Sequence, residues 1–129
     1  MSEAELQEQI QLEGPHFHCV LERNNSGQLE TKDGRVVRFG LGNRSKKHAE
    51  KMRSSDLVGI TSIVVTQEMV GSIIGVFTAV EVKAPDWNPA KKLDAHETAQ
   101  KNWINWVIVR GGLGGFANSL ESFRKILGR

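Results

Sequence analysis

Apolar residues in this chain come in short clusters, and the spacing within the clusters changes along its length. Leu6 and Ile10 recur at helical spacing, with Leu12 nearby. They follow a polar start in which Ser2 suits an N-cap and Glu3 and Glu5 fill the first turn. This predicts a helix over 2–12, stopped by Gly14-Pro15. Phe17 to Leu21 alternates loosely and predicts a strand, ending at Glu22-Arg23-Asn24-Asn25 before a Ser26-Gly27 turn. Asp33-Gly34 lies between Leu29-Glu30-Thr31 and Val36-Val37-Arg38-Phe39, a hairpin pattern over 28–41. Gly40-Leu41-Gly42-Asn43 predicts a flexible loop, and 45–52 a short basic helix or a mobile arm.

Two β-branched runs follow. Leu57 to Ile60, continuing through Ile63 to Val65, predicts one strand. Ile73 to Val82 predicts the next, and their close succession suggests an antiparallel pair. Ala84 to Asp94 predicts a loop holding Pro85, Pro89 and Trp87. Trp87 reads as a lid on the core or as a ring that stacks on a base. Ala95 to Val109 is the strongest helix pattern. Asp94 caps it, Ala99, Trp103, Trp106 or Val107 and Arg110 run down one stripe, and Ile104 and Ile108 lie on the next. Gly111-Gly112 ends that helix. A short strand over 113–117 and a Ser119-capped helix over 120–127 complete the chain. This order predicts one α/β or α+β domain over 1–129 whose central sheet is flanked by helices.

Composition bounds this picture without changing it. The chain has 129 residues, enough to bury a core. No apolar run is long enough to span a membrane, and no signal-peptide pattern opens the chain. Cys19 is the single cysteine, so no internal disulfide forms, which fits a reducing compartment.

Charge changes the picture more. Residues 1–13 carry four Glu and no Lys or Arg. Residues 32–53 carry eight basic residues against Asp33 and Glu50: Lys32, Arg35, Arg38, Arg44, Lys46, Lys47, Lys51 and Arg53. Such asymmetry points to a polyanionic partner, or to a solvated basic loop. Arg23, Asn24 and Asn25 add polar groups at a strand end, where substrate contacts are common and where asparagines also simply favour turns.

The candidate chemistry lies in Phe77–Lys83. Residues two apart on a strand share a face, so Glu81 and Lys83 project together. An acid and an amine at the end of an apolar strand suit metal-assisted phosphodiester cleavage. Asp56, Glu81 and the carbonyl of Val82 would hold Mg²⁺, with Lys83 orienting a water or meeting developing negative charge. An ordinary ion pair is the plain alternative. A second Glu-x-Lys, Glu30-Thr31-Lys32, beside Asp33-Gly34, reads as a turn.

Several segments in order then resemble one family. They are Glu3-Ala-Glu-Leu-Gln, Arg23-Asn24-Asn25, the run Gly34-Arg35-x-x-Arg38-Phe39-Gly40-Leu41-Gly42, Ser54-Ser55-Asp56-Leu57-Val58-Gly59-Ile60, Val80-Glu81-Val82-Lys83, and Gln100. Together, over about residues 3–118, they resemble the VRR-NUC family of the PD-(D/E)xK nuclease superfamily, Holliday-junction-resolvase-like proteins found in phages and prophages. The resemblance implies a restriction-endonuclease-like core with a mixed sheet. It implies Mg²⁺- or Mn²⁺-dependent endonuclease cleavage of branched or duplex DNA by a homodimer, in a bacterial cytoplasm. Residue by residue, Asp56 and Glu81 match the metal carboxylates, Lys83 the catalytic lysine and Gln100 the polar residue of the following helix. Glu3 matches the first-helix acid, with Glu5 its rival. Arg23, Asn24, Arg35, Arg38, Arg44, Lys46 and Lys47 are the DNA-binding candidates. Ser55 stands where the superfamily name has Pro, and the 25-residue separation of Asp56 from Glu81 is long. Two alternatives stand beside this reading: a sequence-specific restriction-type nuclease, which needs an element reading base edges, and a non-catalytic DNA-binding accessory protein on the same fold.

Overall fold

The computed structural model describes residues 1–51 and 54–128. Met52 and Arg53, which close the basic segment, and Arg129 lie outside the described residues. The described residues are mixed α/β, with four helices and three small sheets. It divides into two compact units, Met1–Gly59 and Ile60–Arg129.

The first unit opens with α1, Glu3–Glu13. Its start is a full capping box. Ser2 Oγ accepts from Glu5 N at 3.1 Å, and the Glu5 carboxylate accepts from Ser2 N at 2.6 Å. The expected apolar face is only half covered, since Leu6 and Ile10 both stay exposed. Phe17 does not begin the first strand. It ends a 3₁₀ turn, Gly14–Phe17, and His18 takes a left-handed φ of 57° that breaks the extended run. Strand β1 is therefore Cys19–Arg23. Strands β2 (Gly27–Glu30) and β3 (Val36–Phe39) form the expected antiparallel hairpin, with Glu30 opposite Val36. The Glu30-Thr31-Lys32 copy does lead into the turn: Gly34 N donates to Thr31 O at 2.9 Å. The short basic helix forms as α2, Lys46–Lys51. Strand β4, Leu57–Thr61, has β1 as its ladder partner.

The second unit is organised on β5 (Thr78–Val82) and β6 (Leu113–Ala117), a parallel pair joined through α3 (Ala95–Val109) and followed by α4 (Leu120–Ile126). Two adjacent glycines on β6 explain the layering. A Cβ on Gly114 would lie 3.1 Å from Ile104 of α3, and one on Gly115 would lie 2.9 Å from Ile126 of α4. Successive strand residues face opposite sides, so α3 and α4 pack closely on the two faces of β6. The buried residues here include Ile104, Val107 and Ala117.

The expected single central sheet is replaced by three two-stranded sheets, β1-β4, β2-β3 and β5-β6. The antiparallel pairing expected between 57–65 and 73–82 is absent from these ladders. Between Ser62 and Phe77 the regular element described is a 3₁₀ turn, Gln67–Met69. A β-branched run becomes a strand when it has a face to bury, and here Val64 is 86% exposed and Ile73 fully so. The stripe on α3 also differs. Ile104 and Val107, three apart, form its buried apolar edge. Trp103 remains 42% exposed, stacked on Trp106 with ring centroids 4.8 Å apart.

Candidate active site

The end of β5 carries the candidate chemistry in the second unit. Glu81 pairs with Phe116 in the parallel ladder, and Lys83 N donates to Ala117 O at 2.8 Å, extending the ladder one step past the strand. The register therefore holds Glu81 and Lys83 on one face. Helix α3 supplies the link between them. Lys83 Nζ donates to Gln100 Oε1 at 2.8 Å, and Gln100 Nε2 donates to Glu81 Oε1 at 2.7 Å. An amide suits this place because it offers an acceptor to the amine and a donor to the carboxylate at once. Glu81, Lys83 and Gln100, separated by up to 19 residues, thus form one hydrogen-bonded chain. Glu81 Oε2 has no partner among the described residues.

Beneath that chain lies Glu97, which the sequence reading did not single out. It is 4% exposed. Its Oε2 accepts from Trp87 Nε1 at 2.7 Å and stands 3.8 Å from Lys83 Nζ. Its Oε1 accepts from Asp94 N at 3.2 Å and stands 3.4 Å from Lys91 Nζ. The backbone N–H of Asp94, then the Trp87 indole and the Lys91 ammonium, pull its carboxyl down to about 2, against the opposing effect of burial. Glu97 is thus held as an anion beside Lys83, which is itself only 15% exposed and lies 5.3 Å from the Phe116 ring centroid. Trp87 is the lid the sequence allowed. Its ring packs on Phe116 at 5.3 Å, its N–H is bound to Glu97, and its carbonyl accepts from Asn118 Nδ2 at 3.0 Å.

In the first unit, Asp56 stands just before β4, exposed, with no partner for its carboxylate among the described residues. Its backbone is fixed by Asn24: Asn24 N donates to Asp56 O at 2.9 Å, and Asn24 Nδ2 donates to Ser55 O at 2.8 Å. Asn24, a DNA-binding candidate, here braces the segment that presents Asp56. The capping box separates the rival acids of α1. Glu5 is bound to Ser2, which lowers its pKa, whereas Glu3 carries no such bond.

The basic candidates divide as well. Arg35 is paired with Asp33 at 2.9 Å within the hairpin turn. Arg38 donates to Asn43 Oδ1 at 3.0 Å. Arg23 at the end of β1, Arg44, and Lys46 and Lys47 on α2 are exposed and form no ion pair among the described residues. Val82, whose carbonyl was the third metal candidate, is the last residue of β5. No group of three or more His, Cys, Asp or Glu side chains converges among the described residues, and no helix among them is long and apolar enough to cross a membrane. No protein-family model, curated protein or solved structure matches the chain.

Proposed function

We propose that the protein is a divalent-metal-dependent DNA endonuclease of the VRR-NUC type, selective for branched DNA such as a Holliday junction and acting as a homodimer in a bacterial cytoplasm. The observation that carries this reading is the chain Glu81–Gln100–Lys83. It joins the three residues of this unit that the resemblance assigns to catalysis.

The donor chemistry fits Mg²⁺ or Mn²⁺. Among the described residues Glu81 keeps one oxygen clear of protein partners in the second unit, where the Val82 carbonyl is a further hard oxygen, and Asp56 has an unpartnered carboxylate in the first. When bound, such an ion acts as a Lewis acid toward phosphate oxygens. The remaining work falls to the chain's own groups. Gln100 fixes the rotamers of Glu81 and Lys83 together. Glu97 pairs with Lys83 and limits its freedom, so the ammonium is oriented before substrate arrives. A fixed cation then meets the negative charge that develops on the phosphoryl group without reorganising. The basic residues Arg23, Arg38, Arg44, Lys46 and Lys47 supply attraction to the DNA backbone.

The test incubates the protein with a synthetic four-way junction and a matched linear duplex, in Mg²⁺, in Mn²⁺ and in EDTA. Junction cutting that needs metal is the expected outcome, with Lys83→Ala reducing it by roughly 10²–10³-fold while DNA affinity persists. Cutting of both substrates would keep the nuclease and remove the selectivity. Tight junction binding with no cutting in either metal would favour the accessory-protein reading instead.

A further inference from the structure

The hairpin β2–β3 and the loop after it border an open cavity of about 210 Å³ in the first unit, lined in part by Gly27, Gln28, Arg38, Asn43 and Ser54. Asn43 shapes it. Its Nδ2 donates to Gly27 O at 2.6 Å and to Phe39 O at 3.0 Å, and its Oδ1 accepts from Arg38 Nη1 at 3.0 Å. The loop Gly40–Asn43 is thereby tied to both strands.

One feature of this cavity is unsatisfied. Arg38 is half-buried, yet no carboxylate pairs with it among the described residues, and the Asn43 amide oxygen is its one side-chain partner there. A guanidinium has five N–H donors, so most of its capacity is open. Ser54 also lines the cavity, with its Oγ buried out of reach of a ligand there. A partly buried cation without a counter-ion calls for an acceptor, and no acid is among the described residues that line the cavity. The volume falls below the roughly 300–1,000 Å³ of pockets for drug-sized ligands, which suits a single small oxyanion.

We propose that this cavity is a phosphate subsite that takes one backbone phosphodiester of DNA, with Arg38 as its donor. The phosphate as ligand rests on the cavity alone, whereas DNA as its source rests on the nuclease reading above. Ser54 precedes Asp56 by two residues, a Cα span of at most about 7 Å. A phosphate held there anchors the strand close to Asp56. Arg38 is then a phosphate anchor rather than one member of a diffuse basic surface.

The test is run in EDTA, so that no cutting intervenes. ¹⁵N–¹H spectra of the wild-type protein are titrated with inorganic phosphate, thymidine and the dinucleotide d(TpT). The amides of Gly27, Gly42 and Asn43 should shift with phosphate and with d(TpT), and not with thymidine. Duplex binding by fluorescence anisotropy should weaken about tenfold in Arg38→Gln, with the salt slope falling by about one.

Thymidine shifting the same amides would overturn the proposal in favour of a base pocket. Unchanged affinity and slope in Arg38→Gln would also overturn it. If the wild type cuts DNA but phosphate leaves these amides unmoved, the subsite fails and the nuclease reading stands. If phosphate shifts them but DNA is neither bound nor cut, the anion cavity stands and its assignment to DNA falls with the nuclease reading.

Discussion

The two units hold their functional candidates in opposite ways. In Ile60–Arg129 the groups are locked to one another. Lys83, Gln100, Glu81, Glu97 and Trp87 are linked by hydrogen bonds of 2.7–2.8 Å and a 3.8 Å ion pair, and Glu97 is buried. In Met1–Gly59 most candidates are exposed and unpartnered: Asp56, Arg23, Arg44, Lys46 and Lys47 face water, while Arg35 pairs with Asp33, Arg38 is bound to Asn43, and Asn24 fixes the backbone at Asp56. The difference follows from what each set is suited to do. A group that meets charge developing in a reaction gains from being oriented in advance. A group that meets a phosphate backbone gains from reach, and its effect is long-ranged and salt-dependent. The second unit is built for precision and the first for attraction.

The sharpest way to break this contrast is to remove the link in the locked set. Gln100→Ala frees both Lys83 and Glu81 while deleting neither charge. Cleavage should fall by about 10–100-fold, in the range seen when a group that orients a reactive neighbour is lost. DNA affinity should hold, because the basic residues are untouched. An unchanged cleavage rate would mean that the hydrogen-bonded chain has no part in the chemistry.

A second break strikes the packing that carries the locked set. Gly115→Val places a branched side chain where even a Cβ would lie 2.9 Å from Ile126. Forcing α4 off β6 should cost about 1–3 kcal/mol, read from denaturant unfolding. A loss well under that range would mean that α4 shifts freely and that the close packing of the layers on β6 is not needed.

Acid separates the units by a different route. The Glu97 carboxyl sits at about 2 in the folded chain against an ordinary 4.5, so the unfolded chain takes up its proton first as pH falls. The stabilisation is therefore complete above about pH 4.5 and is lost as pH drops toward 2. Glu97→Gln should flatten the stability profile in that window. Glu5 and Asp33 in the first unit are also lowered, by contacts with Ser2 for Glu5 and with Thr31 and Arg35 for Asp33. Both are exposed, so removing either should change the acid profile less. A Glu97→Gln profile that tracks the wild type would show that Glu97 does not hold the second unit together.

What the sequence disclosed follows the same division between local and distant causes. Helix starts at Ser2, Asp94 and Ser119 and the Asp33-Gly34 turn were legible because the deciding residues lie within four positions of one another. Glu81 and Lys83 on one face followed from strand periodicity, and Gln100 was reached through the family resemblance. Glu97 was missed although Asp94-x-x-Glu97 is a capping-box pattern. A cap explains the residue fully at short range, and its second role appears only when Trp87 and Lys83 arrive from 10 and 14 positions away. Pairing partners were hidden for a similar reason. β propensity marks 63–65 and 73–76 as strand-like, yet ladder formation depends on which residues meet across the sheet. The buried edge of α3 was ambiguous because Trp106 and Val107 are neighbours on the helix, and only packing against Gly112, just before β6, selects Val107.

The smallest effect tests whether the first unit has any precision of its own. Asn24 is its most exact contact near a candidate, since the side-chain amide bonds Ser55 O while the backbone bonds Asp56 O. Asn24→Ala removes only the side-chain bond, which lies in an exposed site where water replaces it. The stability cost should therefore be about 0.5–1 kcal/mol, near the net worth of one hydrogen bond. Cleavage is the more informative reading. If Asp56 must be held in place as Lys83 is, activity should fall by more than the loss of stability explains. If attraction alone is the first unit's role, activity should follow stability. A fall at matched folded fraction, with DNA affinity unchanged, would place Asp56 with the locked groups and leave only the arginines and lysines as the diffuse set.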